Sequence, residues 1–267
     1  MILVLKVRKI TCIQYVLSMI ESEFQTLIPW AGMKQTKKDS AFNLLKQRIL
    51  TLDLPPGSAL DEIALSEQYG LSRTPMREVF QRLAGEGYVS LESNRGASVS
   101  SMDLATMRGF FQTAPMIYAA VARLATELAT ASQIDALKNI QTRFTKAVKA
   151  DDATGMAMHN HLFHEHLGVM AASPYLAPSL GRLLIDHTRM AQRFYRVSHV
   201  ATDSRVELAC EQHDAMIDAI IGREPAVTVE LTVAHWELSR AEMDKYVLPD
   251  PLPVDPLENT VLAGTTL

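Results

Sequence analysis

The sequence predicts a mainly helical protein with an N-terminal winged helix-turn-helix and a C-terminal all-α bundle of six helices. In the stretch Leu60–Val99, two short helical patterns joined by a tight turn are followed by two strand-like runs. After Ser100, apolar residues recur with the period of a helix, and strand-like alternation is absent. A chain of 267 residues is long enough for two such domains.

Capping and turn residues set the limits of the two short helices. Asp61 can cap a helix that runs to about Tyr69, and Gly70 supplies the left-handed residue that ends it. Ser72 can cap the second helix, and Pro75 lies in its first turn, where a missing N–H costs little. The pattern therefore predicts a helix, a tight turn and a second helix.

The second helix has an apolar face and a polar face. The apolar face consists of Met76, Val79, Phe80 and Leu83, and the opposite face consists of Arg73, Thr74, Arg77 and Gln81. Two predicted strands follow, Tyr88–Glu92 and Ala97–Val99.

Arg73 and Arg77 can reach guanine O6/N7 or phosphates, and Thr74 can contact a phosphate or a thymine methyl. An arginine pair alone would indicate an ordinary solvated face, but the helix-turn-helix and the hairpin around this pair favour DNA binding.

These residues also carry a family resemblance. Residues 71–89 read LSRTPMREVFQRLAGEGYV and residues 94–99 read NRGASV. They resemble the DNA-binding domain of GntR-family bacterial transcription regulators, which has a Ser-Arg-x-Pro-x-Arg start, a Glu-Gly-Leu/Tyr-Val exit and an Arg-Gly wing. The resemblance covers about Lys34–Val99. It implies DNA contacts at Arg73, Thr74 and Arg77, and at Arg95 and Gly96 in the wing tip.

Two segments precede the helix-turn-helix. We call the whole DNA-binding domain, residues 34–100, the reader. Residues 1–33 are predicted to be an extension, loosely ordered or forming one amphipathic helix, and the alternative is a docking helix for a partner or a dimer mate. Ser40–Leu52 has the apolar period of a helix that packs under the reader, which as a domain spans 34–100. Lys37, Lys38 and Arg48 are candidate phosphate contacts, and solvated side chains are an equal alternative.

Residues 101–248 are predicted to form the helical bundle. Six helices are predicted: Asp103–Ala129, Ser132–Lys149, Asp152–Met170, Tyr175–Arg196, Ser204–Ile221 and Pro225–Tyr246. Pro115 is expected to kink or break the first helix, and Ser132 and Asp135 are expected to form a capping box at the start of the second. Gly222 is expected to end the fifth helix. The tail 249–267 lacks periodicity and is predicted to be disordered.

Composition excludes several classes of protein. The net charge is −4, and residues 34–100 hold nine Lys/Arg against eight Asp/Glu, whereas the later residues hold fourteen against twenty. A near-neutral DNA-binding domain attached to an acidic C-terminal domain favours sequence-specific DNA binding over non-specific coating of DNA.

Cys12 and Cys210 form neither a disulfide framework nor a CxxC site, and no apolar run reaches the ~18 residues of a membrane span. We therefore expect a reduced cytoplasmic protein without a membrane segment.

Histidines within the bundle suggest a metal site. Asn160 and His164 are four residues apart on one helix, so they share a face. His213 and His235 lie between apolar neighbours on the last two helices and are expected to face inward. Three imidazoles and one oxygen suit Zn²⁺, Ni²⁺ or Mn²⁺, although a single inward histidine is more often a hydrogen-bonded core residue.

The combination of this reader with six helices is similar to the FadR-type (FCD) subfamily of GntR regulators. Its metal-binding members have an Asp-x-x-Phe-His run and two later histidines. Residues 160–164 read Asn-His-Leu-Phe-His, with Asn in the Asp position. The resemblance implies a divalent metal ion at Asn160, His164, His213 and His235, with His161 and His166 as bystanders. A neutral amide oxygen is a weaker ligand than a carboxylate.

The resemblance also implies a small-molecule effector. The subfamily often has Arg-x-x-Leu-Glu in the first bundle helix, where this chain has Thr113–Ile117 with neither the Arg nor the Glu. If the effector is a carboxylate, another cation must face it. Arg189 and Arg193, one turn apart, and Arg123 are candidates, and a solvated face is the alternative for each.

The sequence as a whole predicts a homodimeric, effector-responsive transcription regulator, usually a repressor in this family, on a pseudo-palindromic DNA operator. One alternative is a metal-dependent enzyme, since three histidines with an open position also describe a catalytic zinc site. The HExxH arrangement of a general base is absent from the sequence. A further alternative is a pure metal sensor, whose DNA binding responds to the ion alone.

Overall fold

The computed structural model describes residues 36–92, 96–197 and 204–247. The predicted extension 1–33, the wing-tip residue Arg95 and the tail 249–267 lie outside these ranges. The described elements are α1 (Lys37–Leu50), β1 (Ala59–Leu60), α2 (Glu62–Tyr69), α3 (Arg73–Glu86), β2 (Val89–Glu92), β3 (Gly96–Val99), α4 (Leu104–Leu128), α5 (Ala131–Lys149), α6 (Ala153–Met170), α7 (Leu176–Val197), α8 (Ser204–Ile221) and α9 (Pro225–Val247). The predicted fold class, a small winged helix-turn-helix followed by a helical bundle, is confirmed.

Local capping places the two helices of the reader. The Asp61 carboxylate accepts hydrogen bonds from the N–H groups of Ile63 and Ala64 at 2.8 and 3.1 Å. Gly70 ends α2 in the left-handed region, at φ 60°. Ser72 occupies the N-cap position of α3 but makes no side-chain capping bond. Asp61 therefore caps the start of α2 and Gly70 ends it, as the sequence predicts, whereas the predicted side-chain cap at Ser72 does not form.

The hairpin strands form an antiparallel sheet in the order β1-β3-β2. Val89 lies opposite Val99 and Glu92 lies opposite Gly96. Strand β1 was not predicted, because its two residues are too few to show a period. It pairs with β3 through Ala59 opposite Ser98, so the segment before α2 is tied to the wing.

Helix α1 begins at Lys37, three residues before the predicted start. Thr36 and Asp39 form a reciprocal capping box, in which the Thr36 hydroxyl accepts from the Asp39 N–H at 3.2 Å. Hydrogen bonding to Thr36 also holds the pKa of Asp39 below its usual value. The prediction followed the apolar residues and missed this polar first turn.

Helix α4 runs without interruption from Leu104 to Leu128, so of the kink or break predicted at Pro115 the break is wrong. Proline removes one backbone hydrogen bond from a helix interior. Ala114 and Tyr118, on either side of Pro115, are 0% and 3% exposed. Their packing against the other helices stabilises α4 across the missing bond.

Two further helix ends differ from the prediction. The N-cap of α5 is Thr130, which forms a capping box with Gln133 rather than the predicted one at Ser132. Helix α8 ends at Ile221, but the left-handed residue after it is Arg223, at φ 56°, and not Gly222. The Arg223 guanidinium donates to the carbonyls of Thr126 and Ala129 at the end of α4. These carbonyls lack helical partners, so a residue from a distant turn caps α4.

The bundle encloses an apolar core shared by α4, α5, α6, α7, α8 and α9. Its fully buried members include Ala114, Ala125, Leu137, Phe163, Met216 and Ile220. Within the described residues, none of the helices is long and apolar enough to cross a membrane.

The reader packs directly on the bundle. Met158 of α6 and Ile185 of α7 belong to the same buried apolar cluster as the core of the reader, which includes Leu45, Met76 and Leu83. Helix α7 therefore contributes to two cores, one in each domain. This double role makes the orientation of the reader depend on α7.

Three arginines seven residues apart on α7 donate to backbone carbonyls of the reader. We call Arg182, Arg189 and Arg196 the arginine row, because their spacing places them on one face of the helix. Their acceptors are the carbonyls of Gly87, Ser100 and Thr51, at 2.7, 2.7 and 3.0 Å respectively. A Cβ atom on Gly87 would lie 2.5 Å from Cδ of Arg182, so this contact requires glycine there.

The shared core predicts that a bundle residue stabilises the reader. Ile185 is 0% exposed, and we expect Ile185→Ala to lower the free energy of unfolding by roughly 2–4 kcal/mol through the cavity left behind. The measurement is urea unfolding of the full chain followed by circular dichroism.

The matched control is Ile221→Ala, because Ile221 is 47% exposed at the end of α8. We expect a change within about 0.5 kcal/mol for it. Equal losses for the two variants would contradict the shared core.

Candidate metal centre and nucleic-acid interface

Three buried histidines from three helices meet at one point in the bundle. His164 of α6, His213 of α8 and His235 of α9 each offer a ring nitrogen, and these nitrogens lie within 4.8 Å of one another. The rings of His213 and His235 are 4.5 Å apart between centroids, and His164 lies 5.3 Å from His235. We call this group the histidine centre. It brings together the three histidines that the sequence singled out.

Two glutamines orient the rings of this centre. Gln141 Oε1 lies 3.0 Å from Nδ1 of His213, and Gln212 Oε1 lies 3.1 Å from Nδ1 of His235. A carbonyl oxygen only accepts, so each Nδ1 carries the hydrogen and each Nε2 keeps its lone pair. Such outer hydrogen bonds commonly fix the tautomer of histidines that bind metals. Neither glutamine was predicted, because no spacing motif in the sequence marks them.

The remaining polar atoms of the centre lack protein partners. Nε2 of His213, both ring nitrogens of His164 and Oδ1 of Asn160 have no hydrogen bond among the described residues. All three residues are less than 5% exposed. Buried polar groups are normally paired, so these atoms, three on the histidine centre and one on Asn160 a turn earlier in α6, are available to a ligand. Three imidazole nitrogens and an amide oxygen fit a divalent metal ion.

Burial keeps the imidazoles neutral, as metal binding requires. Desolvation and the neighbouring histidines hold the pKa values of His164 and His213 well below the ordinary value. Desolvation also lowers the pKa of His235 to about 3. A neutral imidazole offers a lone pair without releasing a proton. Phe163 stacks on the His213 ring at 3.9 Å and fixes its plane.

A fourth histidine, which the sequence analysis did not single out, lies beside the centre. His187 of α7 is 1% exposed, and its ring is 5.8 Å from that of His164. Its Nδ1 lies 2.7 Å from the Tyr118 hydroxyl, and its Nε2 has no partner in the described part of the chain. Burial lowers the pKa of His187 to about 4. Its neighbours in sequence show no metal-binding spacing, so only the packing of α7 on α4 reveals it.

His161 and His166 have partners away from the histidine centre. Nδ1 of His161 lies 2.7 Å from the hydroxyl of Thr188 on α7. Nε2 of His166 lies 2.8 Å from the carbonyl oxygen of Gln133 on α5. Both imidazoles thus connect α6 to a neighbouring helix.

The structure separates the three candidate effector arginines. Arg189 is 0% exposed, and its guanidinium bonds the Ser100 carbonyl and the Asp186 carboxylate, at the junction with the reader. Arg193 and Arg123 are exposed, on α7 and α4. The three side chains therefore do not form one cationic group.

The predicted DNA-reading face of α3 is exposed. Arg73, Thr74 and Arg77 face solvent, whereas Met76 and Leu83 on the other face are 0% exposed. The amphipathic division of this helix is thus as the sequence predicts.

An acidic residue holds Arg77 in place. Nε of Arg77 donates to both carboxylate oxygens of Glu62 on α2, at 3.1 and 3.0 Å. These bonds use Nε and leave the two terminal amino groups for other partners. Glu62 was not identified from the sequence, since it precedes Arg77 by fifteen residues.

The other candidate DNA contacts differ in their surroundings. Lys38 pairs with Glu78 of α3 at 2.7 Å, and both side chains are about half exposed. Arg48 is partly buried and donates to the Tyr69 hydroxyl at 3.3 Å, which links α1 to α2. Gly96 is exposed at φ 81°, a conformation that favours glycine. Arg95 lies outside the described residues.

Comparison with known proteins gives two family matches. Residues 37–99 match the model of the bacterial regulatory proteins of the gntR family, and residues 111–238 match that of the FCD domain. The chain is 26% identical over 208 residues to the HTH-type transcriptional repressor RspR of Escherichia coli (strain K12), covering 78% of this chain and 89% of that protein. It is 21% identical over 196 residues to the HTH-type transcriptional regulator YdhC of Bacillus subtilis (strain 168), covering 73% and 85%.

Solved structures share the fold. E. coli McbR/YncC superposes with a TM-score of 0.66 at 18% identity, covering 79% of this chain and 96% of that one. A transcriptional regulator GntR from Rhodococcus sp. RHA1 superposes with a TM-score of 0.57 at 17% identity, covering 80% and 98%.

These matches and the exposed face of α3 distinguish between the functions that the sequence left open. The matched families and relatives are those of transcriptional regulators, and not of metal-dependent enzymes. The chain belongs to the GntR family of bacterial regulatory proteins: it is a DNA-binding transcription regulator with an FCD domain after its winged helix-turn-helix.

Proposed function

We propose that this regulator is a metal-dependent repressor that binds a pseudo-palindromic operator as a homodimer and releases it when a small effector enters the bundle. The observation that carries the proposal is the histidine centre, whose neutral, inward-facing nitrogens lie in the domain that supports the reader. The relative RspR, a repressor by name, supports the direction of regulation.

Four side chains of this chain would hold the metal ion. His164, His213 and His235 would supply nitrogens and Asn160 an oxygen, with Gln141 and Gln212 fixing two of the rings. A divalent ion held by such ligands supplies a positive charge and open positions for an oxygen-bearing effector. Zn²⁺, Ni²⁺ and Mn²⁺ all accept this donor set.

Helix α7 would transmit the effect of binding to the reader. Helix α7 lies beside the histidine centre through His187, which bonds Tyr118, and the next residue, Thr188, bonds His161 of α6. Another face carries the arginine row, which holds reader carbonyls. A ligand that binds better to one position of α7 would shift the orientation of both readers.

The size of the reader supports a dimer. One winged helix contacts too few base pairs for useful specificity, so two copies would bind half-sites about one helical turn (~34 Å) apart.

A pure metal sensor is the second candidate. The same histidine centre favours it, because all the proposed ligands could be satisfied by an ion alone. Both functions predict that chelator changes operator affinity, so the distinguishing test adds small acids, amino acids and sugars to the metal-loaded protein. Effector sensing predicts that one of them changes operator affinity while the metal stays bound, whereas a pure sensor responds only to removal of the metal.

The exposed face of α3 leads to a prediction for DNA binding. We expect Arg77→Ala to weaken operator binding by roughly 1–3 kcal/mol, the cost of one lost bidentate base contact, with little change in melting temperature. The measurement is fluorescence anisotropy with an operator selected from random DNA.

Two comparison variants test whether the loss is specific to base reading. Lys38→Ala should weaken all sequences alike and lower the salt slope by about one, as for a phosphate contact. Arg123→Ala, in the bundle, should leave operator binding unchanged. Normal binding by both reader variants would contradict the assignment of α3.

The histidine centre leads to a prediction for metal content. We expect up to one divalent ion per chain. A metal at a hundredfold excess over its Kd stabilises the folded state by ~2.7 kcal/mol, so its removal by chelator should lower the melting temperature. His213→Ala should abolish the response to chelator. Asn160→Asp should tighten binding, because a carboxylate is the stronger ligand. Elemental analysis and thermal melting measure both effects.

The control for the metal site is His166→Ala, whose imidazole bonds the Gln133 carbonyl instead. It should leave the metal content nearly unchanged. If the wild type contains no metal and Asn160→Asp gains none, the histidines are core residues and the effector binds without an ion.

The arginine row leads to a prediction for coupling. In the wild type, we expect metal removal to change operator affinity by about 5–150-fold, the range of typical coupling between two sites. In the double variant Arg182→Gln, Arg196→Gln, we expect a smaller change in operator affinity. The two arginines bond reader carbonyls, so their loss should loosen α7 from the reader while metal affinity stays the same. Anisotropy with and without chelator measures the change.

Arg189 is kept in this variant, since its removal would leave the buried Asp186 carboxylate unpaired. Arg123→Gln is the matched control and should retain the full response. An unaltered response in the double variant would show that the arginine row does not couple the domains.

A further inference from the structure

We propose that His187, oriented by Tyr118, is the hydrogen-bond donor that binds a carboxylate oxygen of the effector beside the histidine centre. This inference rests on the proposed effector-sensing function and names the class of its ligand. It assigns to His187 a role different from that of the three histidines next to it.

The Tyr118 hydroxyl determines which nitrogen of His187 carries the hydrogen. Tyr118 is 3% exposed, and burial raises its pKa far above neutrality, so the hydroxyl keeps its proton. Within the described residues its hydrogen-bond partner is Nδ1 of His187, at 2.7 Å. A buried hydroxyl must place its hydrogen on an acceptor, so Tyr118 donates and Nδ1 accepts. In neutral His187 the hydrogen then lies on Nε2.

The neighbouring histidines have the opposite tautomer. In His213 and His235, the carbonyl oxygens of Gln141 and Gln212 require hydrogens on Nδ1, which leaves lone pairs on Nε2. The same ring atom is therefore an acceptor or metal ligand in these residues and an N–H donor in His187. An Nε2 that carries a hydrogen cannot bind a metal ion.

This N–H group lacks a partner and lies next to the site. Nε2 of His187 is buried without a hydrogen bond in the described ranges, and the rings of His187 and His164 are 5.8 Å apart. Buried donors are normally satisfied, so this one is available to a ligand that binds beside the histidine centre. Tyr118, whose ring is 5.3 Å from that of His164, lies beside the same centre.

The charge of the site selects an anion with oxygen atoms. All four proposed ligands are neutral, because an imidazole that donates a lone pair to a metal keeps its hydrogen on the other ring nitrogen and the fourth ligand is the amide of Asn160. A divalent ion held by these buried side chains would keep its double positive charge. A carboxylate offsets this charge with one oxygen and has a second oxygen to accept from His187.

The experiment uses the full chain loaded with Co²⁺, whose visible spectrum reports on its ligands, and acetate as the probe. We expect His187→Leu to weaken acetate binding at least tenfold while Co²⁺ affinity stays within twofold of wild type. His187→Gln, which retains an N–H donor, should recover part of the loss. Tyr118→Phe should weaken acetate binding by a smaller factor, because the tautomer is no longer fixed. His166→Leu is the matched control and should change neither affinity.

Nitrogen-15 NMR of histidine-labelled metal-free protein tests the tautomer independently of any metal. The wild-type resonances that disappear in His187→Leu belong to His187. Their chemical shifts in the wild-type spectrum should show that the hydrogen is on Nε2. A hydrogen on Nδ1, unchanged acetate affinity in His187→Leu, or loss of Co²⁺ by that variant would each overturn the proposal.

The two proposals fail in different ways. A wild type that binds no Co²⁺ contradicts the metal-dependent function, and the role of His187 is then decided by titrating acetate into the metal-free chain. A shift of the His187 Nε2 resonance in that titration supports the donor role, and its absence overturns it.

Discussion

The buried guanidinium of Arg189 is the interaction on which the relation between the two domains depends. It is 0% exposed and bonds the Ser100 carbonyl, at the point where the wing leads into α4, and the Asp186 carboxylate on its own helix. A charge removed from water is tolerated only when it is paired and hydrogen-bonded, so this contact constrains the position of α7 against the reader. Arg182 and Arg196, one heptad to either side, extend the constraint along the helix.

On its other side, α7 places His187 beside the histidine centre, where hydrogen-bond partners differ from one imidazole to the next. Amide oxygens contact Nδ1 of His213 and His235, whereas a hydroxyl contacts Nδ1 of His187. In the proposed function, the first arrangement leaves Nε2 for a metal and the second makes Nε2 a donor to an anionic effector, so that α7 would respond to both.

Carboxylates hold two of the cations that we propose as DNA contacts. Glu62 holds Nε of Arg77, and Glu78 pairs with Lys38. Such exposed pairs contribute little to stability, but a guanidinium held at Nε loses less side-chain freedom on meeting DNA. The acidic partners also reduce the net charge of the reader, which favours sequence-specific contacts over general attraction to phosphate.

The sequence by itself determined the fold class, the two ends of α2 at Asp61 and Gly70, and the faces of α3, because these depend on local hydrogen bonds and helical period. It also selected the three histidines that converge. Only the tertiary structure decided the continuity of α4 through Pro115, since packing of distant helices offsets the lost bond. It likewise decided the contacts of Arg189 and His187. Their partners, the Ser100 carbonyl and the Tyr118 hydroxyl, lie 89 and 69 residues away, and a contact at such separation leaves no periodic signal in the sequence.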